Sequence, residues 1–84
     1  MLSPSEVKVV MEAALLASQK PLTISELRRL FDEEVGADTV RRLLDELREE
    51  WRGKAVELVN LATGWRFQTR TAFQQYLEIG RAHV

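Results

Sequence analysis

The chain has 84 residues, with 12 Lys plus Arg against 13 Asp plus Glu and a formal net charge of -1. That length allows one domain of about 50 to 250 residues, and the near-neutral charge supplies no global positive field to draw phosphate backbones or anionic lipid. Cysteine is absent, which excludes disulfides, thiolate catalysis and Cys-ligated metal centres.

Residues Ser5 to Ser18 predict a first helix. Val7, Val10, Met11, Ala14 and Leu15 recur at steps of three and four and form an apolar stripe. Ser3 or Ser5 can cap it, and Pro4 is tolerated in the first turn. Leu16 and Ala17 widen the stripe, which suggests contacts on two sides. Lys20 precedes Pro21, so the chain is extended there.

A second helix carries the strongest local signature. Thr23-Ile24-Ser25-Glu26 matches a capping box, with Leu22 and Leu27 placed as a hydrophobic staple. Leu27, Leu30 and Phe31 are expected inside. Arg28, Arg29, Asp32 and Glu33 are expected in water, and Gly36 closes the unit.

A third helix is predicted from Asp38 to Trp51, with the stripe Val40, Leu43, Leu44, Leu47 and Trp51. Arg41–Asp45 and Arg42–Glu46 are opposite-charge pairs four residues apart. Gly53 ends the helix.

Beyond Gly53 the period changes to two. Trp65, Phe67 and Thr69 alternate with Arg66, Gln68 and Arg70. An antiparallel hairpin of roughly 55–61 and 65–69 is expected, turning at Ala62-Thr63-Gly64. Thr71 can cap a short last helix holding Phe73, Tyr76, Leu77 and Ile79 and ended by Gly80.

This order predicts an α+β winged helix: a three-helix core, a β-hairpin wing and a short C-terminal helix. The extended piece near Pro21-Leu22 can add a third strand. The alternative is a plain three-helix core with an independent hairpin. Two strands alone are marginal in water, so the hairpin must pack on the helices, which favours the wing.

Winged helices commonly place their third helix in the DNA major groove. Here that segment carries Arg41, Arg42 and Arg48 against Asp38, Asp45, Glu46, Glu49 and Glu50. A net acidic helix repels a polyanion. Lys54, Arg66 and Arg70 could offer weak phosphate contacts from the wing. A DNA-binding transcriptional or nucleoid-associated module therefore stands only as the alternative reading.

No catalytic, cofactor-binding or metal-binding residues are expected. His83 is the only histidine and lies one residue from the chain end. Glycines at 36, 53, 64 and 80 form no phosphate-cradling cluster. No apolar run approaches the ~20 residues that cross a bilayer, and Met1 to Pro4 do not open a signal peptide. Protein binding remains. Trp65, Phe73, Tyr76 and Leu77 are the candidate dimer or partner interface, with the outer side of the first helix as a second candidate.

The ordered motifs resemble one known family. Ala14-Leu15-Leu16-Ala17-Ser18 leads to Lys20-Pro21-Leu22. Leu43-Leu44-Asp45-Glu46-Leu47 runs on to Glu50-Trp51. Glu57-Leu58-Val59, Gly64-Trp65-Arg66 and Thr69-Arg70 follow, then an aromatic short helix from Phe73 to Leu77. Together, from about Val7 to Leu77, they resemble the N-terminal part of the bacterial segregation and condensation protein B family. The resemblance implies tandem winged-helix domains that form homodimers through their N-terminal domains. It also implies a non-enzymatic role in chromosome condensation and partition during cell division. The implied partners are the kleisin subunit and the chromosome-maintenance ATPase of the condensin complex. The implied location is the cytoplasm, with nucleoid association through those partners and no direct specific nucleic-acid binding. The family's second domain, to which much kleisin contact is attributed, is not in this sequence. Residues 1–77 are read as the winged-helix domain. Residues 78–84 do not resemble the family's linker and are read as a tail.

Overall fold

Ser3 opens the first helix with a full capping box. The Glu6 N–H donates to Ser3 Oγ at 3.2 Å, and Glu6 Oε1 accepts from the Ser3 N–H at 3.4 Å. Pro4 follows as the first helical residue, where no N–H is required. The structure, a computed structural model, describes residues 2–82, with side chains described through Leu77. The first helix, α1, spans Pro4–Ala17 and buries Val7, Met11 and Leu15. Val10, expected in the stripe, is 38% exposed. The buried residues follow a strict four-residue step, and Val10 falls to one side of it.

The second helix, α2, spans Ile24–Arg29. Its capping box forms as expected: the Glu26 N–H donates to Thr23 Oγ1 at 3.1 Å, and the Thr23 N–H donates to Glu26 Oε1 at 3.0 Å. These bonds, that from the backbone first, hold the Glu26 carboxyl below the usual carboxylate range. The helix is short because Asp32 and Glu33 turn left-handed, with φ of 51° and 63°. Two expectations are corrected there. Arg28 is half-buried rather than solvated: its Nε donates to Val35 O at 2.8 Å and its Nη2 to Glu33 O at 3.2 Å, which staples the turn. Leu30 is 48% exposed, because Leu27 and Phe31, four apart, take the core positions.

The third helix, α3, spans Ala37–Glu50 and buries Val40, Leu43, Leu44 and Leu47. Gly36 is its N-cap. Trp51 follows as the C-cap and is half-buried, not a core member. Its indole N–H donates to Glu12 Oε2 at 2.7 Å, and its ring lies 4.8 Å from that of Phe67. One residue thus ties α1, α3 and the hairpin together.

Strands β1 (Val56–Leu61) and β2 (Gly64–Thr69) pair antiparallel, with Leu58 opposite Phe67 and Leu61 opposite Gly64. Leu58 and Trp65 point into the core. Leu22 adds one bridge to Trp65, so the extended link contributes a single pair rather than a full third strand. The wing packs on α1 and α3, as a winged helix requires.

The last helix, α4, spans Thr71–Ala82. Thr71 is its first helical residue instead of its cap, and the helix runs through Gly80 rather than ending there. The molecule measures 47 × 22 × 22 Å, and among the described residues α4 makes no extended packing with another element, its Gln74 amide donating to Thr69 O at 3.2 Å. His83 lies outside the described residues.

Candidate interaction surfaces

The α4 face follows from its sequence. Phe73, Tyr76 and Leu77 fall at helical steps of three and four, so they share one stripe. They are 41%, 65% and 50% exposed. A stripe of this kind on a soluble helix needs something to cover it. Among the described residues, none of the three belongs to the core. Trp65, expected beside them, is separated from them: it is 7% exposed and belongs to the core. Its place follows from the two-residue period of β2, which sets Trp65 and Phe67 on one face.

A second surface lies at the opposite end of the domain. The first turn of α1 and the α2–α3 turn flank a groove of about 770 Å³ lined by Leu2, Pro4, Leu30, Phe31 and Val35. Asp32 and Glu34 stand at its edge. Leu2 also borders Val9 and Val10 on the outer side of α1. This apolar area includes the first-helix candidate, but the groove itself was not foreseen. The one sequence signal for it is Leu2, a large apolar residue outside the α1 stripe; Leu30, expected inside, lines the groove instead.

The third surface is the one a DNA reader would use. On α3 each arginine faces a carboxylate of its own helix: Arg41 with Asp38 at 3.1 Å, Arg42 with Glu46 at 3.8 Å, and Arg48 with Asp45 at 2.8 Å. The partner of Arg41 is thus Asp38 and not Asp45. Exposed pairs are individually weak. The sum of charge matters more, and Ala37–Glu50 holds three arginines against five acids, 3 - 5 = -2. Lys8 of α1 crosses to Glu46 at 3.2 Å and to Glu50. Those contacts, Glu50 first, raise its pKa above the ordinary lysine value.

Two of the three wing cations are also engaged, whereas the buried Nε of the third, Arg66, has no hydrogen-bond partner among the described residues. Arg70 donates to Lys54 O at 2.6 Å, to Trp51 O at 3.3 Å and to Glu57 at 3.2 Å. The Lys54 ammonium sits 4.7 Å from the centre of the Trp51 ring. Both are held against the end of α3 instead of standing free for phosphate. Among the described residues, no cluster of three or more His, Cys, Asp or Glu is placed to hold a metal ion. No described helix is long and apolar enough to cross a membrane.

Comparison with known proteins gives consistent results. The family model for the segregation and condensation complex subunit ScpB matches residues 9–82. A segregation and condensation protein B homolog from Coxiella burnetii is 44% identical over 73 residues, covering 84% of this chain and 35% of that protein. The crystal structure of ScpB from Mycobacterium tuberculosis superposes with a TM-score of 0.86 at 29% identity, covering 99% of this chain and 52% of that one. The crystal structure of a dimer of an ScpB N-terminal domain complexed with an ScpA peptide matches with a TM-score of 0.78 at 24% identity, covering 94% of this chain and 92% of that one. The chain spans about a third of the Coxiella relative and about half of the Mycobacterium one.

Proposed function

This chain belongs to the ScpB family of segregation and condensation complex subunits, and we propose that it works there as a non-enzymatic dimerisation and kleisin-binding module. Its role is in chromosome condensation and partition, in the cytoplasm, reaching the nucleoid through its partners. The winged-helix domain is residues 1–77.

One observation carries this reading. The apolar stripe Phe73, Tyr76 and Leu77 stands outside the core, on a helix that among the described residues packs only weakly on the rest of its own chain. Burying such a stripe is favourable by roughly 25 cal/mol for each Å² of apolar surface. The natural cover is another polypeptide. The related N-terminal domain solved as a dimer with an ScpA peptide supports a kleisin contact within this domain. The acidic α3 supports the same choice, because protein recognition needs no basic reading face.

The test is a pair of titrations. A labelled kleisin segment is expected to bind the chain, while labelled random duplex DNA is expected not to bind at low salt. Micromolar DNA binding that weakens steeply with salt, with no peptide binding, would establish the nucleic-acid reading instead.

A further inference from the structure

The wing leaves one strand edge open. Trp65 spends its backbone N–H and C=O on Leu22, at 2.7 Å and 2.8 Å, so it gives neither to Asn60, the residue opposite it on β1. The Arg70 N–H donates to Ala55 O at 2.8 Å, and bonded pairs in an antiparallel ladder alternate with unbonded ones. Ala55, Glu57, Val59 and Leu61 therefore turn their backbone groups toward β2, and Val56, Leu58 and Asn60 turn theirs outward. Among the described residues no other backbone group meets these outward groups.

Natural proteins blunt such edges with Lys, Pro or a bulge. Strand β1 has no Lys or Pro, and its register with β2 is unbroken. A cleft of about 360 Å³ lies beside it, between residues 57–60 and Arg48, Glu49 and Arg52 of α3. Arg70, bonded to Glu57 and to Trp51 O, completes the lining. Three arginines meet two glutamates there, so the cleft carries an excess of positive charge although α3 itself is net acidic. The excess belongs to Arg48, whose partner Asp45 does not line the cleft. The Arg48 guanidinium is held 5.6 Å from the centre of the Trp65 ring. Among the described residues Arg48 and Arg52 each donate to their own helix through Nη2, which leaves Nε and Nη1 as donors.

We propose that this edge receives an extended peptide segment as an added strand, and that the segment carries carboxylates at alternate positions. The outward groups of Val56, Leu58 and Asn60 supply the backbone pairing. Alternate side chains of the added strand fall on the α3 side, where Arg48 and Arg52 take the carboxylates in charge-assisted bonds. An apolar occupant would leave those guanidinium donors unused, and a basic one would meet the excess positive charge. The β1 strand of a second copy would bring a single carboxylate, Glu57, which Arg70 already holds at 3.2 Å. The α4 stripe takes no part, so the edge is a site apart from the α4 surface.

The probe is a peptide of about eight residues, the length of an ordinary strand, alternating Thr with Glu; a Thr–Lys peptide is its counterpart. Amide exchange of the intact 84-residue chain is followed by NMR. With the glutamate peptide, exchange at Val56, Leu58 and Asn60 is expected to slow roughly tenfold, while Glu57 and Val59, already bonded within the wing, change little. Asn60→Pro removes one outward donor at an edge position that tolerates proline, and binding is expected to weaken severalfold. N-methylation of alternate peptide residues tests the same bonds without altering the protein: one alternating set is expected to abolish binding and the other to preserve it. Equal slowing by the Thr–Lys peptide would overturn the acidic occupant. Amides of Val56, Leu58 and Asn60 left unchanged at saturating glutamate peptide, bound or not, would overturn the added strand. Slowing that needs no peptide and grows with chain concentration would give the edge to a second copy and also overturn it.

Discussion

Leu22 and Trp65 exchange both backbone hydrogen bonds, at 2.8 Å and 2.7 Å, and so join the link before α2 to the second wing strand. This single bridge seats the wing on the helices. Gly64 lies beside it with φ of 133°, and a Cβ there would stand 2.6 Å from the Leu22 carbonyl carbon. Only glycine permits that approach.

Gly64→Ala is therefore expected to destabilise the fold by about 1–3 kcal/mol, through backbone strain and the clash with Leu22. Urea unfolding measures it as a lower midpoint. Gly36→Ala serves as the control, because no atom lies within 4 Å of its Cβ position.

The Thr23–Glu26 box predicts a pH dependence. The folded Glu26 carboxyl lies below its ordinary pKa, so its contribution is present above the unfolded value. It is lost as pH falls through the lower folded value. Comparison of wild type with Glu26→Ala by thermal unfolding is expected to show a gap near neutrality that closes on acidification. A gap that widened on acidification would contradict the sign. Thr23→Ala removes the other half of the box and is expected to cost about 0.5–2 kcal/mol.

Trp51→Phe keeps the ring beside Phe67 and removes the donor to Glu12. The bond is to a charged group, so a loss of about 1.5–3 kcal/mol is expected. Glu12→Gln keeps an acceptor in place, and a smaller loss is expected from it by the same unfolding assay.

The acidic α3 predicts that Arg41→Ala with Arg42→Ala leaves the absence of duplex binding unchanged at low salt. Electrophoretic retardation by wild type, abolished in that variant, would show the two arginines on phosphate after all.

Much of the fold was legible because local rules and tertiary packing agree. The capping box, the α3 stripe and the two-residue period of the wing each name a geometry, and the elements follow. Ser3-Pro4-Ser5-Glu6 carries the same S-x-x-E pattern as Thr23 to Glu26, and its box was equally readable. Other features depend on long-range placement. Arg28 and Arg70 look like surface cations in sequence, yet each closes a turn through carbonyls that only the folded chain brings near. Trp65 went to the core, as the alternation with Phe67 demands. Phe73, Tyr76 and Leu77 were legible as interface candidates from their apolar load on a short last helix, but the stripe alone did not decide their exposure. An amphipathic stripe reads the same whether its cover is its own core or another chain.

The most direct measurement is sedimentation equilibrium over roughly a hundredfold range of concentration, for wild type beside Phe73→Ala with Tyr76→Ala. Self-association through α4 predicts a concentration-dependent dimer for wild type and a monomer for the double variant, with the same unfolding midpoint for both. An unchanged dimer in the double variant, or a wild-type monomer at every concentration, would contradict it.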